Sequence, residues 1–146
     1  GDLRSTGRSN ELVKLIKTQS DFDTLFRYLF SNQRLIVMRA ADAVEKLSAK
    51  NPEWTGKHAA DLIALLQNAN DKELKWHLAL ICTRLKLDSA QVKSIWNILS
   101  KWALDKNESK IVRVNALQGL FEFASIYHSL QAQWVSMASK IGRENI

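Results

Sequence analysis

The 146-residue chain has one cysteine, one proline and five glycines. A single cysteine cannot close an internal disulfide, which excludes the small stapled scaffolds and is consistent with a reducing compartment. Cys82 lies in the apolar stretch Leu78-Ala79-Leu80-Ile81-Cys82, where a buried, inert thiol is the default reading. So few prolines and glycines leave little turn chemistry for a β fold, and strand-like alternation is scarce. No apolar run approaches the ~20 residues that span a bilayer, and there is no signal-like h-region. A cytoplasmic protein without membrane contact is the resulting expectation. Glycine-rich phosphate loops, the Gly-x-Ser-x-Gly elbow and Cys/His pairings are also missing from the sequence, so no catalytic signature and no cofactor is expected.

What is there fits a globular protein. The apolar fraction is 46% and the charged fraction 25%, and the length suits one domain with its own core. Residues 1–8, Gly-Asp-Leu-Arg-Ser-Thr-Gly-Arg, read as a flexible lead-in to a single domain at 9–146. The 21 Lys and Arg against 15 Asp and Glu give a net charge of +6. That permits attraction to acidic partners, yet the charges are dispersed, and streaks such as Lys72-Glu73-Leu74-Lys75 alternate in sign.

Helix-start signals recur along the chain. Ser20-Asp21-Phe22-Asp23, Asn70-Asp71-Lys72-Glu73 and Asp88-Ser89-Ala90-Gln91 resemble capping boxes. Asn51 before Pro52 places a cap residue ahead of a first-turn proline, and Gly142 suits a final stop. Between these signals the apolar spacing predicts an opening helix near 9–18. Helix pairs follow at 20–30 with 33–49, 53–68 with 71–86, and 89–105 with 108–126, then a closing helix at 129–141.

The second helices of the three pairs align without gaps at a spacing of 38. Arg34, Lys72 and Lys110 form one column, and Ile36, Leu74 and Val112 the next. Ala40, Leu78 and Ala116 follow, then Ala43, Ile81 and Gly119, then Val44, Cys82 and Leu120, then Leu47, Leu85 and Phe123. Helical period explains apolar spacing within one helix but not agreement across three. The first helices align near 37: Leu62 with Leu99, Leu65 with Trp102, Leu66 with Ala103. Met38-Arg39-Ala40-Ala41-Asp42-Ala43 and Val112-Arg113-Val114-Asn115-Ala116-Leu117 look like the second helix of a HEAT repeat, although the two Arg positions do not share a column in this register. Over roughly residues 20–126 the chain therefore resembles the HEAT and armadillo-like families. That resemblance implies an all-α, right-handed α-α superhelix of about three HEAT-like hairpins, sealed by terminal capping helices.

His58, His77 and His128 are far apart, and none has a metal-ligand partner one turn away on a shared face. Asp42 and Glu45 are three residues apart, which a solvated helix face explains without acid/base work. Trp96, Trp102 and Trp134 fit the apolar sides of their helices. Trp76 differs: at 100° per residue it stands about 160° from the Leu78–Ile81–Cys82–Leu85 face. Extending its angle across the repeats gives a stripe: Met38, Asp42 and Glu45, then Trp76, Leu80 and Thr83, then Val114, Gln118 and Phe121. Arg39, Lys46, His77, Arg84 and Asn115 flank it.

In HEAT-like solenoids the second helices line the concave surface, so the resemblance implies that this stripe binds a peptide or protein partner. Packing of a central helix is the competing explanation of Trp76. A second candidate is the ladder Arg34, Lys72, Lys110 with Lys75 and Arg113, whose first three members stand in first helical turns, where the macrodipole disfavours cations. It could face phosphates, unless Asp71, Glu73 and Glu108 compensate it. A non-catalytic interaction scaffold is thus the expected function. The alternative is a nucleic-acid-binding, DNA-repair-like HEAT protein using a basic face, some relatives of which act on alkylated DNA.

Overall fold

The computed structural model describes residues 3–144, and among them every regular element is helical. The helices are α1 (Leu3–Leu15), α2 (Gln19–Arg27), α3 (Arg34–Lys50), α4 (Ala59–Asn68), α5 (Lys72–Ile81), α6 (Ser89–Leu104), α7 (Lys110–Ile126) and α8 (Gln131–Gly142). Short 3-10 turns sit between them at Tyr28–Phe30, Pro52–Trp54, Gly56–His58, Cys82–Arg84 and His128–Leu130.

Side-chain caps explain where four helices begin. Thr18 accepts a hydrogen bond from the Asp21 amide at α2, and Asp71 accepts from Glu73 and Leu74 at α5. Asp88 and Gln91 form a reciprocal capping box at α6, and Ser109 caps α7 through the Val112 amide. Each satisfies amides that the first turn leaves orphaned.

Several expected boundaries move. The first pair's cap is Thr18, not Ser20. The stretch from Pro52 opens as two 3-10 turns, and the α-helix starts only at Ala59. Asn51 makes no side-chain cap there, and Thr55-Gly56 are poor helix formers. The α5 helix ends at Ile81 rather than near 86, and Leu85 is extended. Gly142 closes α8 without left-handed backbone; no described glycine has positive φ. Residues 1 and 2 of the stretch read as a lead-in lie outside the described residues, and α1 begins at Leu3.

Packing follows the 38-residue columns. Arg34, Lys72 and Lys110 are each the first residue of their helix. Four of the apolar columns, from Ala40–Leu78–Ala116 to Leu47–Leu85–Phe123, are buried throughout. In the first apolar column Val112 is buried, whereas Ile36 and Leu74 are half-buried. The α3 helix packs between α1 and α5, and α5 between α3 and α7, so α1, α3, α5 and α7 stand in a row. The α2 helix packs on α3, α4 on α6, and α6 and α8 on α7. One apolar core, including Phe22, Phe26, Val44, Leu78, Ile95, Leu99 and Leu120, runs between them. Gly119 marks a close approach of α7 to α5 and α6. A Cβ there would lie 3.0 Å from the Ala79 carbonyl oxygen and 3.1 Å from Leu99 Cδ1.

Candidate functional site

The nine residues of the stripe lie on α3, α5 and its following turn, and α7, but the molecule treats its three parts differently. On α3, Met38 is buried at 6% exposure. Asp42 and Glu45 are half-buried and each is engaged by a different neighbour. Asp42 accepts from Lys46 Nζ at 2.8 Å, and Lys46 also reaches Asn10 of α1 at 2.8 Å. Burial raises the Asp42 pKa, but the bonds from Lys46 and Ser9 outweigh it and hold the carboxyl below its usual range. Glu45 Oε1 lies 2.8 Å from His77 Nδ1 of α5. Its backbone oxygen accepts from Arg84, which also donates to Ser48 Oγ at 2.8 Å. The expected solvated acidic face is thus a pair of seams, one toward α1 and one toward α5.

On α5, Trp76 and Leu80 are half-buried, and Thr83 in the following turn is buried. The Trp76 ring stacks on His77 with centroids 3.8 Å apart and packs against the core. On α7 the stripe opens to solvent. Val114 is 57% and Phe121 46% exposed, and Gln118 between them is exposed too. Phe121 meets Trp134 of α8 edge-on at 5.5 Å. Exposed Ile111 and Val135 lie on the same two helices. Ile111 is one turn before Val114, a spacing visible in the sequence. Val135 required knowing that α8 folds onto α7.

The ladder is largely compensated. Arg34 Nε bonds Asp71 at 2.7 Å and its Nη2 approaches Glu73 at 3.6 Å. The guanidinium beside Asp71 lowers that carboxyl's pKa. Lys75 Nζ lies 2.6 Å from Glu108, with both side chains mostly buried, and sits over the Trp102 ring at 5.3 Å. Arg113 is buried, donating to the Ala103 carbonyl at 2.9 Å and pairing with Glu144 at 2.7 Å. Lys72 and Lys110 are exposed. Arg34 and Lys75 therefore pin successive helices of the row to each other, because each one's carboxylate stands at the start of the next.

His58, Asp23 and Cys82 are similarly committed. His58 is buried, stacks on Phe26 with centroids 4.2 Å apart, and meets Asp23 at 2.6 Å. Burial opposes the Asp23 charge, yet hydrogen bonds from Lys57, Gln19 and His58 bring its pKa to about 2. Cys82 is fully buried; burial pushes its thiol pKa far up, and its sulfur donates to the Ala79 carbonyl at 3.3 Å. Among the described residues no three His, Cys, Asp or Glu side chains gather to hold a metal, and no helix is long and apolar enough to cross a membrane. Trp96 and Trp102 are buried, while Trp54 and Trp134 are half-buried. Comparison of the chain with family models, curated proteins and solved structures gives no match.

Proposed function

We propose that this chain is a non-catalytic interaction scaffold, a right-handed α-α superhelix of HEAT-like hairpins that binds a peptide or protein along the stripe. One observation carries the reading: the stripe, closed on α3 and half-filled on α5, becomes an open apolar ridge of Ile111, Val114 and Phe121 on α7. These residues repeat at spacings of three and seven, the pattern that receives the apolar face of an amphipathic helix. Trp134, edge-on to Phe121, offers the aromatic anchor that interface centres favour. The row α1–α3–α5–α7 supports the repeat architecture, and commitment of the buried histidines to Asp23 and Glu45 supports a structural rather than catalytic use of them.

The test is selection of helical peptides from a display library against the folded chain, followed by binding to a Val114→Glu, Phe121→Glu variant. Both positions are exposed, so the variant is expected to keep its thermal stability and lose the selected peptides. Equal binding by the variant would place the interface elsewhere. A mobility shift with DNA and RNA at two salt concentrations tests the alternative. Tight, steeply salt-dependent binding there would replace the peptide reading with a phosphate-binding one.

A further inference from the structure

A cleft of about 410 Å³ opens between α6 and the segment that joins α7 to α8. Its apolar wall is Leu87, Val92, Trp96, Tyr127 and Leu130, and its polar rim is Ser89, Lys93, Asn97, Ser129 and Gln133. The volume falls within the roughly 300–1,000 Å³ of small-molecule sites, and an apolar wall with a few convergent polar groups is their usual composition.

The five rim side chains are exposed. Around this cleft, none of the five rim side chains has a hydrogen-bond or ion-pair partner among the described residues, and neither does the Tyr127 hydroxyl. Lys93 is the one charged group lining it. The nearest carboxylate in sequence, Asp88, is turned into its own helix, where it accepts from the Gln91 amide at 2.8 Å. The cleft therefore presents an ammonium, two amides and three hydroxyls around aromatic walls, with no lining anion to neutralise the cation.

We infer that this cleft binds a small carboxylate with a flat apolar body. The aromatic portion lies against Trp96 and Tyr127, and the carboxylate takes a charge-assisted bond from Lys93, which is stronger than a neutral one. Amides of Asn97 and Gln133 complete the donor set. This site is separate from the stripe, and its occupation does not depend on the scaffold reading.

The experiment uses naphthoate as the probe and its neutral amide as the control, followed by amide chemical-shift mapping and calorimetry on the whole chain. Naphthoate is expected to shift resonances at 87–97 and 127–133 and to bind with a stoichiometry of one. Affinity should fall about two- to five-fold, the value of one charge-assisted contact at an exposed lysine, for naphthamide and for Lys93→Gln. Gln133→Glu, which adds a carboxylate to the rim at an exposed position, should weaken it likewise. The proposal is overturned by absence of shifts at millimolar naphthoate, by shifts that map elsewhere, or by equal affinity for acid and amide. Equal affinity of Lys93→Gln and the unaltered protein would overturn it too, since Lys93 is an exposed side chain whose loss leaves the fold intact.

Discussion

Trp76 illustrates how far a single residue can be read from a helical wheel. The wheel sets it opposite the core face of its helix, and the structure leaves it half-buried, stacked on His77 and leaning on the core. The wheel gives a direction, but what a side chain meets in that direction depends on neighbouring helices. Trp76→Ala should therefore cost about 1–3 kcal/mol in urea unfolding, less than the ~2–5 kcal/mol expected for Leu78→Ala, which is fully buried. Asp23 supplies a pH signature at the same scale. Its carboxyl is lowered from 3.8 to about 2 in the fold. Its contribution is therefore present above the unfolded value and is lost as pH falls through the folded one. Other carboxylates, Asp42 and Asp71 among them, are lowered too, so the difference between proteins isolates this one. Urea midpoints of the unaltered chain and of Asp23→Asn should differ near neutral pH and converge between pH 4 and pH 2; parallel curves would show that Asp23 contributes nothing there.

At the level of elements, the sequence was most legible where local and repeating signals agreed. The column Arg34–Lys72–Lys110 coincides with the first residues of α3, α5 and α7, and the Asp88 box forms as its residues suggest. It was least legible where distant contacts decide. Pro52 marks a start, but two tight turns intervene before α4; α5 stops at Ile81, and the turn after it places Arg84 against α3. The basic ladder looked like a surface because Arg113 and its partner Glu144 are 31 residues apart, beyond the reach of any pattern on one helix. The two junction pairs should also differ in strength. Arg34 is 61% exposed, so Arg34→Ala is expected to change stability by less than ~1 kcal/mol. Glu108→Ala strands the mostly buried Lys75 charge and should cost about 2–4 kcal/mol. Replacing both by Lys75→Met and Glu108→Leu should recover most of that loss in thermal denaturation, because the stranded charge is then gone.

For the whole molecule, the row of helices means that α5 cannot leave without parting from both α3 and α7. Cys82 sits just past its last turn, in the column shared by Val44 and Leu120, with no exposed surface. It is the chain's single cysteine. A thiol so placed is protected twice, by lack of access and by a suppressed thiolate. Native protein should thus resist maleimide while urea-unfolded protein labels at once. The native labelling rate should track the global unfolding free energy rather than the local fraying that affects the ends. Fast native labelling would mean that the middle of the row opens on its own. A residue that does no chemistry in the folded chain thereby becomes a clock, each adduct recording one moment when neighbouring helices came apart.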